Sequence, residues 1–177
     1  PSVLLLGWED GFQLYDWVKQ EAVGEYSSGE PVNPKGQPSR LNDGRCSGSA
    51  FVCGGFFGHL SDCTVKVYSV ILDDDNQKLK HVPIIENVQI TNSLAFGDGG
   101  KLYFCDSPTK QIHVYDYHDG GIPTSPRLLY SYPEEQVGFP DGSCVDAEGY
   151  LWSCIWRSGT GPGRVQRLHP TTGDIDY

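Results

Sequence analysis

Apolar positions along the chain fall into paired short runs. Val3-Leu4-Leu5-Leu6-Gly7-Trp8 is followed by Gly11-Phe12-Gln13-Leu14-Tyr15-Asp16, and Ala50-Phe51-Val52-Cys53-Gly54-Gly55 by Val65-Lys66-Val67-Tyr68-Ser69-Val70. Lys101-Leu102-Tyr103-Phe104-Cys105-Asp106 precedes Gln111-Ile112-His113-Val114-Tyr115-Asp116, and Tyr150-Leu151-Trp152-Ser153-Cys154 precedes Arg164-Val165-Gln166-Arg167-Leu168. In each pair the first run is continuously apolar, as in a strand buried on both faces. The second alternates, as in a half-buried strand. No window carries a sustained helical stripe with caps.

The pairs recur about every 47–51 residues, a spacing typical of propeller blades. Evenly spaced hairpins around an axis fit this better than a sandwich does. The stretch from Ile90 to Tyr132 predicts one whole blade: Ile90 to Phe96 innermost, Leu102 to Cys105 second, Ile112 to Tyr117 third and Arg127 to Tyr132 outermost. Gly97-Asp98-Gly99-Gly100, Asp119-Gly120-Gly121 and Glu148-Gly149 supply the turns. The fold class expected is all-β, a portion of a β-propeller of about three and a half blades, each of four antiparallel strands. A propeller closes its ring, and fewer than four blades do not close one. Residues 1–177 therefore read as a single propeller domain truncated at both ends.

Composition narrows the function classes. The 177 residues are 38% hydrophobic and 20% charged, with a formal net charge of −10. That balance disfavours nucleic acid and anionic membrane as partners, and no apolar run is long enough to span a bilayer. The opening Pro1 to Leu6 lacks a basic region and a cleavage site, so it reads as a strand and not as a signal peptide. None of the six cysteines, Cys46, Cys53, Cys63, Cys105, Cys144 and Cys154, forms a Cys-x-x-Cys pair. They read as small buried free thiols, which favours a cytoplasmic home. The aromatics Trp8, Trp17, Tyr103, Phe104, Trp152 and Trp156 read as blade-to-blade packing, with the mouth of a site as a second place for Trp156. Asp73-Asp74-Asp75-Asn76 lacks the Gly and distal Glu of a calcium loop and reads as a hairpin tip. Gly159-Thr160-Gly161-Pro162-Gly163 precedes no helix and reads as a strand connection. The five histidines show no ligand spacing, and no G-x-S-x-G elbow is present.

The chemistry concentrates where inner strands begin: Arg40-Leu41-Asn42-Asp43-Gly44, Ile90-Thr91-Asn92-Ser93-Leu94 and Phe139-Pro140-Asp141-Gly142-Ser143. Each places Asn or Asp at the same phase before an apolar strand. Equivalent inner-strand positions converge on the propeller axis, so two amide oxygens and one carboxylate would meet there, a donor set suited to a hard divalent cation. Taken singly, Asn-Asp-Gly and Pro-Asp-Gly are also ordinary turn sequences. Recurrence in three repeats favours a site.

These segments, with Tyr103-Phe104-Cys105-Asp106-Ser107, the run Pro140 to Gly149, Gly163-Arg164-Val165 and Leu168-His169-Pro170, resemble the SMP-30/gluconolactonase/luciferin-regenerating family along nearly the whole chain. The resemblance implies a six-bladed propeller of about 300 residues that hydrolyses a sugar lactone, a small-molecule substrate, with one divalent metal ion (calcium, zinc, manganese or magnesium). It implies Asn92 and Asp141 as metal ligands, Asp141 also as catalytic acid/base, and Arg40 and Asn42 as substrate-binding residues. The family pattern also has a metal-ligating Glu in an early blade, which no residue here matches. After Cys53 it commonly has Gly-Thr-Met, where this chain has Gly54-Gly55-Phe56-Phe57-Gly58. That departure leaves two other readings open: a non-catalytic binding scaffold with an incomplete metal site, and a related metal-dependent esterase.

Overall fold

A computed structural model describes residues 2–32, 39–57, 64–73, 78–135, 137–157 and 159–177. These residues form fourteen strands in four antiparallel meanders. The first sheet joins β1 (Val3–Trp8), β2 (Gly11–Asp16) and β3 (Glu21–Val23). The second joins β4 (Ser39–Ser47), β5 (Ala50–Phe57), β6 (Val65–Asp73) and β7 (Lys78–Val88). The third joins β8 (Thr91–Gly97), β9 (Lys101–Asp106), β10 (Gln111–Asp116) and β11 (Thr124–Ser131). The fourth joins β12 (Phe139–Val145), β13 (Leu151–Trp156) and β14 (Arg164–Leu168). Neighbours within each sheet are also neighbours in sequence, the connectivity of propeller blades. The only helical element among the described residues is a 3-10 turn at Ser107–Thr109. No helix there is long and apolar enough to cross a membrane.

Consecutive sheets pack face to face. Phe12, Leu5 and Leu14 of the first meet Cys53, Tyr68, Val70 and Leu79 of the second. Val52, Val67 and Val88 of the second meet Leu94, Leu102 and Phe104 of the third. Cys105, Ile112 and Leu129 of the third meet Leu151, Ile155 and Leu168 of the fourth. Leu94, Leu102, Ile112, Leu151 and Leu168 are wholly buried, and each such side chain contributes about 1.5–3 kcal/mol by leaving water. The second strand of the third sheet, β9, is buried along its middle, whereas the fourth strand of the second sheet, β7, alternates with its lysines in water. The expected pattern, a buried first run and an alternating second, holds for β9 and β10, but Val3, Leu4 and Trp8 of β1 are exposed, and β6 is buried continuously from Val67 to Val70.

Not every apolar residue plays the expected part. Cys53 and Cys105 are buried free thiols, but Cys46, Cys144 and Cys154 are exposed, and Cys63 lies outside the described residues. On β13 the backbone alternates, so Leu151, Ser153 and Ile155 point inward while Cys154 and Trp156 point out. Trp8, Trp17 and Trp156 are likewise exposed and do not pack between sheets, whereas Tyr103 and Phe104 are buried. Asp73 closes β6 and pairs with Lys80 across the hairpin at 2.5 Å; Gly58 and residues 74–76 lie outside the described residues. Gly159–Gly163 connects β13 to β14.

The first strands of the last three sheets, β4, β8 and β12, run alongside one another and share polar bonds. Asp43 Oδ2 accepts from the Leu94 amide at 3.1 Å. The guanidinium of Arg45 donates to the carbonyls of Leu94 and Ser143, both at 2.8 Å. Ser93 Oγ donates to Ser143 Oγ at 2.7 Å.

Candidate functional site

Each of these three inner strands carries a bulge at the same place. One extra residue enters β4 between Leu41 and Gly44, β8 between Asn92 and Ala95, and β12 between Pro140 and Ser143. A bulge bends its strand and re-aims a side chain. The register corrects the phase expected from sequence. Asn42 and Asp141 occupy equivalent positions, but their counterpart on β8 is Ser93, and Asn92 lies one place earlier, level with Leu41 and Pro140. Ser93 takes the strain of this offset, with φ at 60°, a conformation uncommon for a residue with a side chain.

Arg40, Asn42, Asn92 and Asp141 nevertheless line one cleft of about 800 Å³. Its walls include Phe56, Phe57, Phe139 and Trp156, so Trp156, read first as packing between blades, borders this cleft. Arg40 is exposed, with its guanidinium 4.4 Å above the Phe56 ring. Its Nη1 donates to the Leu41 carbonyl at 2.9 Å and to Asn42 Oδ1 at 2.7 Å. Asn42 Nδ2 donates to the Thr91 carbonyl at 2.8 Å and lies 3.4 Å from Asn92 Oδ1.

Asn92 is 7% exposed and Ser107 3%. Asn92 Nδ2 donates to Ser107 Oγ at 2.8 Å, and Ser107 Oγ donates to the Pro140 carbonyl at 2.6 Å. In this orientation Asn92 Oδ1 faces Asp141 Oδ1 at 3.0 Å. With the amide oxygen toward Asp141 the two oxygens repel unless a hard cation is coordinated by both, whereas with the amide turned its nitrogen donates to Asp141 Oδ1 instead. One amide oxygen beside one carboxylate oxygen fits a divalent ion of the calcium, magnesium or manganese kind. Among the described residues no group of three His, Cys, Asp or Glu side chains is placed to hold a metal ion, so a cation held here would draw on amide oxygen as well as carboxylate.

The surroundings are tuned by burial. It pushes the carboxyl of Asp43 above its ordinary value; the Leu94 and Gly44 amides and Arg45 pull the other way, and the charge of Asp141 adds to the rise. Burial likewise raises Asp106, against the Ile90 and Gln89 amides that donate to it. Those two bonds fasten the turn that leads into β8. The Cys53 thiol is pushed up to about 12 by burial, with a further push from Asp43, which leaves it inert at neutral pH.

Sequence reasoning did not single out Ser107 for the site. The signal for it was a small hydroxyl directly after the buried run of β9, followed by Pro108, which stops the strand.

Residues 2–177 match the model of the SMP-30/Gluconolactonase/LRE-like region. The L-arabinolactonase of Azospirillum brasilense is 34% identical over 191 residues, covering 99% of this chain and 55% of the relative. The regucalcin of Danio rerio is 29% identical over 166 residues, covering 92% and 52%. Among solved structures, a calcium-binding protein, regucalcin, from Agrobacterium tumefaciens superposes with a TM-score of 0.77 at 25% identity, covering 99% of this chain and 56% of that one. The chain spans about half the length of the curated relatives it matches.

Proposed function

Because the chain belongs to the SMP-30/gluconolactonase/LRE-like family, we propose that the protein it represents hydrolyses a sugar lactone with one divalent cation held at Asn92 and Asp141. The observation that carries this reading is the convergence of the Asn92 amide and the Asp141 carboxylate, which approach to 3.0 Å in a cleft of about 800 Å³ that Arg40 and Asn42 also line. The L-arabinolactonase relative supports the substrate class, and the relative named as calcium-binding supports the cation.

A divalent ion at this pair supplies Lewis-acid polarisation of the lactone carbonyl and a more acidic water. The chain's own residues do the rest. Asp141 takes a proton from the attacking water and returns one to the ring oxygen. The new bond joins the water oxygen to the carbonyl carbon, the ring ester bond breaks, and a hydroxy acid leaves. Arg40 offers its remaining donors to substrate hydroxyls or to the oxygen that gains charge, and Phe56 holds the guanidinium in place from below. Asn42, fixed between Arg40 and Thr91, forms the floor. Phe139 and Trp156 give the cleft an apolar side that sheds water when a sugar ring enters.

The test is turnover of aldonolactones by the intact protein with and without chelator, alongside the Asp141→Ala variant. The reading expects chelator and variant each to abolish turnover. Full cation-dependent turnover in Asp141→Ala would remove Asp141 from the mechanism. Calorimetry showing no binding of calcium, zinc or manganese would favour a binding scaffold.

A further inference from the structure

We propose that Ser107 is a positioning residue that sets which way the Asn92 amide faces, and so whether an oxygen is presented beside Asp141; this rests on the cation reading of that pair.

The warrant is the direction of a hydrogen-bond chain across three blades. At one end stands Arg40, whose guanidinium has donors only. Its bond to Asn42 Oδ1 at 2.7 Å turns Asn42 Nδ2 toward the Thr91 carbonyl and Asn92 Oδ1. At the other end stands the Pro140 carbonyl, which can only accept. Ser107 has a single hydroxyl proton, and at 2.6 Å from Pro140 O that proton is committed there. Ser107 must then accept from Asn92, at 2.8 Å. Both ends impose the same answer: amide nitrogen toward Ser107, amide oxygen toward Asp141.

The opposite orientation has its own attractions. With the amide turned, its nitrogen would donate to Asp141 Oδ1 at 3.0 Å and to the Thr91 carbonyl at 3.2 Å, while its oxygen accepted from Ser107. Asp141 would then be capped by an internal donor that competes with any cation. That orientation leaves the Pro140 carbonyl against a hydroxyl with no proton to give, and brings two amide nitrogens together at Asn42. Asn92, Ser107 and Pro140 are all buried, so water does not relieve the first conflict. Removing the Ser107 hydroxyl removes the first conflict and frees the amide to turn. A plain structural role for Ser107, tying β12 to the turn after β9, predicts lost stability without a turned amide.

The experiment is calorimetric titration of the intact protein with manganese and calcium chlorides, for the unsubstituted protein and for Ser107→Ala and Ser107→Thr. Outer-shell partners of metal ligands typically control affinity by about 10–100-fold, so Ser107→Ala should bind about 10–100-fold more weakly, and Ser107→Thr, which keeps a hydroxyl, should recover most of the loss. Equal affinity in Ser107→Ala overturns the role of Ser107 and leaves the cation site standing. No binding by the unsubstituted protein overturns the site and this inference with it. A second readout needs no variant: the side-chain amide protons of Asn92, observed by NMR without added metal, should show proximity to the Ser107 β-protons. An amide group placed instead against Asp141 and the Thr91 carbonyl overturns the proposal.

Discussion

Gly54 and Thr91 touch across the boundary between the second and third sheets, so closely that a Cβ at position 54 would lie 2.2 Å from Thr91 Oγ1. The Thr91 hydroxyl is buried there without a hydrogen-bond partner, and the Thr91 carbonyl accepts from Asn42. Gly54→Ala should therefore do two things at once. It should lower stability by about 1–3 kcal/mol, the usual cost of overpacking, and it should move Thr91 and with it the floor of the cleft, weakening cation binding. Urea unfolding and calorimetry of the same preparation check both. An alanine variant as stable as the parent would mean that the two sheets can separate slightly without cost.

Phe56 holds the Arg40 guanidinium 4.4 Å above its ring. A contact of this kind at an exposed site contributes about 0.5–1 kcal/mol. Phe56→Ala leaves the charge of Arg40 and its bond to Asn42 available but loosens their placement. For a lactone substrate the expected outcome is a rise in KM of about 2–5-fold with kcat little changed. Steady-state kinetics decide it, and a fall in kcat of equal size at constant KM would assign Arg40 to the transition state alone.

The repeat of paired apolar runs was enough to place the strands of the third sheet. The inner strand expected at Ile90 to Phe96 lies at Thr91–Gly97, and the third strand expected at Ile112 to Tyr117 lies at Gln111–Asp116. The outermost, expected at Arg127 to Tyr132, begins earlier, at Thr124, because its first residues are polar and exposed and leave no apolar trace. That Arg40, Asn42, Asn92 and Asp141 come together in one cleft was legible, but their register was not. A bulge adds one residue without changing the apolar pattern, and on β8 the residue that takes it up is Ser93 with positive φ, where no glycine announces the turn. Asn92 and Asp141 therefore meet by different local geometries. The outward face of β13 was illegible for a related reason. Trp152, Cys154 and Trp156 alternate with Leu151, Ser153 and Ile155 in a run apolar on both faces, and only the packing partner tells which face is covered.

His81 is 4% exposed on an outer strand, yet both ring nitrogens are bonded: Nδ1 meets Ser27 Oγ and Nε2 meets the Glu30 carbonyl, each at 2.7 Å. A carbonyl can only accept, so Nε2 carries the proton and Nδ1 takes one from Ser27. The ring also stands edge-on to Phe12 at 5.6 Å and to Tyr68 at 5.4 Å, joining the first sheet to the second. His81→Ala loses two bonds and leaves a cavity, so it should destabilise by about 2–4 kcal/mol. Because His81 lies on β7 and the cleft residues lie on the inner strands, cation affinity of the folded variant should stay near that of the parent. Thermal unfolding and calorimetry separate the two effects.

Arg167 lies 3.6 Å over the Tyr150 ring and donates to Asp146 at 2.8 Å, to Asp176 at 2.5 Å and to Glu148. Asp146 also accepts from Trp152 Nε1 and from the amides of Glu148 and Tyr150. Desolvation works to raise its carboxyl, but the Arg167, Trp152 and backbone bonds together hold it well below the usual carboxylate range. The sign of the pH effect follows. A carboxylate that binds its proton more weakly when folded than when unfolded adds stability at every pH above the ordinary value near 4, and that contribution fades as acid protonates it in the folded state. Asp146→Asn should therefore be less stable than the parent at pH 7, and the two stability curves should converge as pH falls from about 4 toward 2. Urea midpoints measured across that range provide the check. A gap between variant and parent that stayed constant down to pH 2 would show that the amide fails for reasons of shape and not of charge.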